Sequence, residues 1–196
     1  MLLYTKAGLH LYINSFHHVY LNYFFRYVTH IGDGIFIAAL ILLLLFIRYR
    51  YALLLACSYL LSSLITQFLK KFIFHDFERP KKFFEDVAGL YYVPGVELHS
   101  FNSFPSGHTT SAFALFFCLA LIVQQHSLKL MCFIMALTVA FSRLYLSQHF
   151  FIDVYFGSLI GITSTVLIYY FIQNSKKLNQ SQWIDQSLLN TVFKTK

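Results

Sequence analysis

Charge is scarce in this sequence. Asp, Glu, Lys and Arg make up 12% of its 196 residues, whereas they make up about a quarter of an ordinary soluble domain. Hydrophobic residues make up 58%, with a mean hydropathy of +0.61, more than a soluble fold of this length can bury. The net charge of +7 lies in short Lys and Arg clusters between apolar runs, which argues against a nucleic-acid partner. The composition therefore predicts a membrane protein.

Cysteine is also rare. Cys57, Cys118 and Cys132 lie in apolar segments, and an odd number without framework spacing gives no basis for disulfides. We expect them to be small buried hydrophobic residues.

The first residues lack the uninterrupted apolar core of a secretory signal, because His10 and Asn14 interrupt it. The first Met is therefore expected to begin the mature protein.

Long apolar segments make up most of the remaining chain, each near the ~20 residues that cross a bilayer. Residues 72–104 are instead polar and aromatic, contain Pro80 and Pro94, and are predicted to form a loop before Pro105 opens the next helix. This pattern predicts an all-α fold, a polytopic membrane helix bundle. About five transmembrane helices are expected, at residues 34–47, 51–69, 109–123, 128–146 and 150–172.

The two ends of the chain are more polar. Residues 9–28 mix aromatic residues with His, Asn and Arg, which is typical of a helix at the membrane interface, and a sixth span is the alternative. Residues 174–196 are rich in Asn, Gln, Ser and Lys. The sequence thus predicts a membrane-embedded domain at residues 1–173 and a polar cytoplasmic tail at residues 174–196.

Alternation of the spans places the 72–104 loop, the helix start at Pro105 and the 143–149 joint on one face of the membrane. The opposite face carries most of the cations that are not balanced by acids: Arg48, Arg50, Lys129, Lys176 and Lys177. By the positive-inside rule this second face is cytoplasmic. We expect an integral protein of the cytoplasmic (inner) membrane whose motif-bearing face looks toward the periplasm or the cell exterior.

His149 and Asp153 lie one helical turn apart on that face, so the carboxylate can orient one ring nitrogen and leave the other free as a nucleophile. A polar pair that only fixes helix packing is one alternative, and a metal site is another. Arg143 and Arg79 are predicted nearby, and cations attract an anion and repel a divalent metal. We therefore expect no metal and no other cofactor.

Arg143 ends a long apolar helix, where its guanidinium suits phosphate oxygens, although snorkelling to lipid headgroups is the alternative. Ser106, Gly107 and His108 open another helix, and its free N–H groups favour an anion. His108 can also protonate a leaving oxygen. The alternative for this segment is an ordinary N-cap.

Together these motifs resemble the type 2 phosphatidic acid phosphatase superfamily, in particular its small bacterial-type integral membrane lipid phosphatases. The family signature is Lys, six residues, Arg-Pro; then Pro-Ser-Gly-His; then Ser-Arg, five residues, His, three residues, Asp. The second and third parts match here, but seven residues separate Lys71 from Arg79. We expect the loop around His75 to absorb this insertion, Lys71 to enter the pocket and Lys70 to snorkel to the headgroups, with Lys70 as the alternative lysine.

The resemblance implies a metal-independent phosphatase. In it His149 attacks phosphorus and becomes a phosphohistidine, Asp153 holds its tautomer, and His108 protonates the leaving group. The residues implied to bind phosphate are Lys71, Arg79, Ser106, Gly107 and Arg143.

The substrate is constrained mainly by the aromatic loop, which suits headgroup depth and so favours a lipid phosphate taken from the bilayer. Undecaprenyl diphosphate, phosphatidylglycerophosphate, phosphatidic acid and lipid A phosphate all fit. A membrane transporter of anions or lipid phosphates, or a binding protein for them, is the alternative function, disfavoured because the charged motifs lie on one face. No obligate protein partner is evident.

Overall fold

The computed structural model describes residues 5–86 and 90–193, and in that part of the chain all the regular structure is helical. Short turns of 3₁₀ helix lie at Thr29–Gly32 and Gln182–Asp185, and a π-helix at Leu69–Ile73. The α-helices are α1 Lys6–Asn14, α2 Val19–Val28, α3 Gly34–Ile47, α4 Tyr49–Phe68, α5 Pro80–Phe83, α6 Gly107–Ile122, α7 His126–Tyr145, α8 Phe151–Asn174, α9 Lys176–Asn179 and α10 Leu188–Phe193.

Three of these helices are long and apolar enough to cross a membrane: α4 with its π-helical end, α7 and α8. The α2 segment with its 3₁₀ turn and α3 together pass the same test as a pair bent by 56°. The apolar helix α6 is shorter, at 16 residues. The predicted all-α polytopic membrane bundle is confirmed.

Helix α6 lies at the centre of this bundle, packed against α4, α7 and α8. Its closest approach is to α8, where Gly157 and Gly161 form a small-residue stripe of the kind that lets membrane helices touch. A Cβ on Gly161 would lie 2.5 Å from the Thr110 carbonyl oxygen, and one on Gly157 would lie 2.7 Å from the Ser106 carbonyl oxygen. The stripe therefore holds the start of α6 against the start of α8.

Residues 9–28 form two helices rather than the single helix that was expected. The chain turns after Asn14, whose side chain donates to Tyr91 O at 2.7 Å and accepts from Tyr91 N at 2.9 Å. Farther along, Asn22 accepts from the Tyr145 hydroxyl at 2.6 Å. The polar residues of this segment thus attach it to the 72–104 loop and to the last residue of α7.

Helix α8 ends at Asn174, and the polar segment that follows folds back on the α3–α4 turn. Arg50 Nε donates to Asp185 Oδ1 at 2.9 Å, Tyr49 N donates to Gln186 O at 2.9 Å, and Ile184 is fully buried. A separate tail beginning at residue 174 stays a prediction.

Candidate active site

The motif-bearing segments meet at one end of the bundle, around a cavity of about 690 Å³. The 70–79 segment, the start of α6 and the joint between α7 and α8 all contribute to its wall. Two of the predicted site residues, Ser106 and Asp153, are buried behind that wall. The predicted residues that line the cavity are Lys71, Arg79, Gly107, His108, Arg143 and His149.

His149 lies in the α7–α8 joint, with its backbone N–H donating to Arg143 O at 3.2 Å and its ring 1% exposed. Its Nδ1 is 3.4 Å from Asp153 Oδ2. The two atoms face each other without forming an aligned hydrogen bond within the described chain, as is common for catalytic contacts before substrate binds. The ring nitrogen left for the cavity is Nε2.

Asp153 is fixed by partners on two segments, the loop that leads into α6 and the start of its own helix α8. Its Oδ2 accepts from Phe150 N at 2.9 Å and from the Ser103 hydroxyl at 2.5 Å, and its backbone oxygen accepts from Ser106 N at 2.9 Å. The analysis of motifs did not identify Ser103 as a site residue. Because it lies 50 residues from Asp153, no local spacing signals the contact.

Arg79 is buried between the 72–104 loop and the joint between α7 and α8. Its Nε donates to Phe101 O at 3.0 Å, and Nη1 donates to Gln148 Oε1 at 3.1 Å. Gln148 in turn donates to Glu97 O at 2.6 Å. Gln148, which was not predicted, therefore links the guanidinium of Arg79 to the residue beside His149.

Arg143, in the last turn of α7, is also buried and lines the cavity. Its Nη1 donates to Thr29 Oγ1 at 2.6 Å, while its Nε is buried without a hydrogen-bond partner in the described chain. Since buried N–H groups are nearly always paired in native proteins, this one is available to an anion. The snorkelling alternative does not describe Arg143 here.

The lysines are placed differently from the expectation. The insertion is absorbed by the π-helix at Leu69–Ile73, not by the loop around His75, since one extra residue in a helix opens an i→i+5 turn. Lys70 is thereby buried, with Nζ donating to Asn102 O at 2.8 Å, and it lines the cavity. Lys71 also reaches the cavity but is exposed. The expectation that Lys70 snorkels to the headgroups was wrong.

The start of α6 presents the remaining motif residues. Ser106 is fully buried, and its Oγ accepts from Thr109 Oγ1 at 2.9 Å. Gly107 lines the cavity, and a Cβ added there would meet nothing nearer than 4.0 Å. His108 places Nε2 2.5 Å from Asp33 Oδ1, a carboxylate from outside the motifs.

The electrostatics of the cavity favour a neutral nucleophile. Burial, and then the positive charges of Arg79, Lys70, Arg143 and His108, hold the pKa of His149 well below its ordinary value. Among the described residues, no group of three or more His, Cys, Asp or Glu is arranged to hold a metal ion. A neutral buried imidazole surrounded by cations is suited to attack an anionic phosphorus centre.

This combination of a helical membrane bundle and a cation-lined cavity with two histidines defines a phosphoric ester hydrolase embedded in a membrane. The PAP2 superfamily model matches residues 51–177. The chain therefore belongs to the PAP2 superfamily and is a lipid phosphatase of the bacterial membrane type.

Two solved structures resemble it. The crystal structure of LpxE from Aquifex aeolicus has a TM-score of 0.72 and 29% identity, over 83% of this chain and 93% of that one. The first transmembrane PAP2 type phosphatidylglycerolphosphate phosphatase from Bacillus subtilis has a TM-score of 0.72 and 25% identity, over 88% of this chain and 86% of that one. No curated protein matches the sequence.

Proposed function

We propose that this protein hydrolyses a phosphomonoester or diphosphate of a lipid, without a metal, through a phosphohistidine. The observation that carries the proposal is the convergence of His149, His108 and three buried cations on one cavity. His149 Nε2 forms a bond to phosphorus as the bond to the leaving oxygen breaks, and His108 gives that oxygen a proton. Water, losing a proton to His108, then releases phosphate from His149.

The low pKa of His149 supports its role, because the neutral ring keeps the lone pair that attacks. Asp153 stabilises the ring as positive charge develops during attack. It is suited to this because Ser103 and the Phe150 N–H hold its Oδ2 beside Nδ1.

Arg79, Arg143 and Lys70 bind the phosphate oxygens, together with the backbone at Gly107, which also lines the cavity. Ser106, buried behind the cavity wall, supports the start of α6 and does not itself contact the phosphate. The unpaired Nε of Arg143 supports this assignment, since a phosphate oxygen supplies the acceptor that the described chain does not. Lys71, at the same cavity but exposed, contributes less than Lys70.

The lipid substrate enters from the bilayer past an aromatic surface. Phe72, Phe77, Phe83 and Phe101 lie in the 72–104 segment and are all more than 40% exposed, as suits side chains at headgroup depth. The substrate belongs to the set that includes undecaprenyl diphosphate, phosphatidylglycerophosphate, phosphatidic acid and lipid A phosphate. The similar Bacillus subtilis protein, described as a phosphatidylglycerolphosphate phosphatase, supports this set.

Phosphate release is the direct test. Purified protein in detergent with EDTA should release inorganic phosphate from these lipids, and rapid acid-free quenching should trap phosphate on His149. His149→Ala should lose at least ~10⁴-fold in kcat, as expected when a nucleophile is removed. Full activity of that variant, or activity that EDTA abolishes, would contradict the mechanism.

We further propose that the protein lies in the inner membrane and that its cavity opens toward the periplasm or the cell exterior. Single cysteines replacing Glu85 and Lys177, both exposed at opposite ends of the bundle, test this in a background without Cys57, Cys118 and Cys132. A membrane-impermeant thiol reagent should label the Glu85 position in intact cells and the Lys177 position only after lysis. The reverse pattern would move the site to the cytoplasmic face.

A further inference from the structure

Asp33 occupies the N-cap position of α3, yet its side chain makes no capping hydrogen bond. Its two oxygens are instead shared between two histidines. Oδ1 lies 2.5 Å from His108 Nε2, and Oδ2 lies 2.7 Å from His30 Nδ1. The usual reason for an Asp at a helix start, pairing with the free N–H groups of the first turn, therefore does not account for it.

The position of Asp33 is also unfavourable for binding phosphate. It lines the cavity together with Arg79, Arg143 and Lys70, where a carboxylate repels an anionic substrate and cancels part of the attraction from the cations. A residue that served only to bind phosphate would not be an acid. Its presence needs an explanation in the chemistry that follows binding.

The backbone brings Asp33 unusually close to α6. A Cβ on the preceding Gly32 would lie 2.7 Å from His108 O and 3.1 Å from His108 Cβ, so the absence of a side chain there allows the turn to touch the helix. The contact joins residues 75 positions apart and brings the carboxylate onto a group that the proposed reaction uses.

The charges around His108 come from several elements. Burial, and then the charges of Arg143 on α7 and Arg79 in the loop, lower the pKa of His108, whereas Asp33 opposes this and favours the protonated ring. His30, Glu97 and His99 also line the cavity. A general acid must hold its proton until the leaving oxygen takes it, and the nearest group that helps His108 to do so is Asp33.

We propose that Asp33 is the positioning residue of His108: it fixes the ring through Nε2 and favours the protonated form that gives a proton to the leaving oxygen. A protonated imidazole has two N–H groups, so one is held by Asp33 and the other is free to donate. The proton moves to the leaving oxygen as its bond to phosphorus breaks, and water returns a proton to His108 in the second step. Asp33 stays ionised throughout. This inference rests on the proposed function.

The dependence of kcat on the leaving group tests the positioning role of Asp33. The alkoxide that leaves an alkyl phosphate needs a proton. A nitrophenyl phosphate that carries an alkyl chain of the same length on its ring instead expels a stable phenolate. Asp33→Asn should lower kcat on the alkyl phosphate ~10- to 100-fold, within the ~10²–10⁴ that acid catalysis supplies. Its kcat on the aryl phosphate should change less than about threefold, and orthovanadate should inhibit it at least as well as wild type, because the variant removes a negative charge.

Two further variants address the same contact. Gly32→Ala, which adds no polar group, should show the same selective loss on the alkyl phosphate, and Asp33→Glu should recover part of it. Glu85→Gln, which alters an exposed carboxylate at the same end of the bundle, should change neither rate.

The outcomes separate the two proposals. Equal losses on both phosphates in Asp33→Asn, or no loss on either, would overturn the positioning role and leave the proposed function standing. If wild type hydrolyses neither phosphate while the lipid phosphates of the proposed set are also untouched, the proposed function fails and this inference fails with it.

Discussion

Two histidine–aspartate pairs face the same cavity from different environments. His149 and Asp153 are each about 2% exposed in their side chains, whereas His108 and Asp33 are 33% and 34% exposed. The first pair is separated by 3.4 Å and the second by 2.5 Å. The buried pair is held by Ser103 and by the backbone of its own helix start, while the half-exposed pair is shared with His30.

The difference matches two opposite chemical requirements. A nucleophile must be neutral, and deep burial among cations disfavours the charged imidazole of His149. A general acid must carry a proton, and the close Asp33 carboxylate opposes the lowering of the His108 pKa by burial and by the charge of Arg143. One cavity can thus hold a base and an acid of the same residue type, because their surroundings differ.

Among the variants that test this comparison, Asp153→Asn should have the largest effect on kcat. The amide cannot stabilise the positive ring that forms as His149 attacks, so kcat should fall by on the order of 10²-fold or more. Unlike Asp33→Asn, it should do so on the alkyl and the aryl phosphate alike, because His149 must attack phosphorus in both substrates whatever the leaving group.

Steady-state kinetics on the two phosphates, with far-UV circular dichroism to confirm folding, make this measurement. A loss in Asp153→Asn that is confined to the alkyl phosphate would mean that the two pairs do not divide the chemistry as proposed.

The lysines provide the next largest effect. Lys70→Ala should cost ~2–4 kcal/mol in kcat/KM, the scale of one preorganised charge donor, since Lys70 is buried at the cavity. Lys71→Ala, a matched change one residue away on an exposed side chain, should cost under ~1 kcal/mol. A large loss confined to Lys71→Ala would restore the assignment expected from the sequence.

The buried pair was recognisable in the sequence because its members lie one helical turn apart, and the motifs around Arg79, Gly107 and Arg143 were equally local. Asp33 and Ser103 were not, since they reach the site across 75 and 50 residues and their neighbours have no distinctive spacing. Such contacts depend on how α6 packs against its neighbours, which periodicity alone does not specify.

The choice of lysine failed for a different reason. Seven residues separate Lys71 from Arg79 and eight separate Lys70 from it, but this count does not show where the backbone absorbs the extra length. A π-helix and a longer loop turn different lysines inward. Likewise, the polar residues of segment 9–28 indicated a single interfacial helix, yet the chain turns after Asn14, whose side chain bonds to Tyr91 in the loop, and a second helix begins at Val19.

The smallest expected effect is in the pH dependence of the nucleophile. A histidine with the ordinary pKa of ~6.5 would be about 90% protonated at pH 5.5, and kcat/KM would fall ~10-fold between pH 7.5 and 5.5. Because the pKa of His149 is held below that value, the neutral form persists to lower pH. This acid limb should therefore lie below pH 6.5, and the loss that it contributes by pH 5.5 should be smaller than ~10-fold.

Measuring kcat/KM from pH 5 to 8 on both the alkyl and the aryl phosphate distinguishes ionisation of the enzyme from ionisation of the substrate. The second ionisation of a phosphate also falls near pH 6, and it lies lower for the aryl compound, so a limb that shifts between the two substrates belongs to the phosphate. A limb at about pH 6.5 that is the same for both would mean that His149 titrates like an exposed histidine. The contrast in burial between the two pairs would then have no electrostatic consequence for the nucleophile.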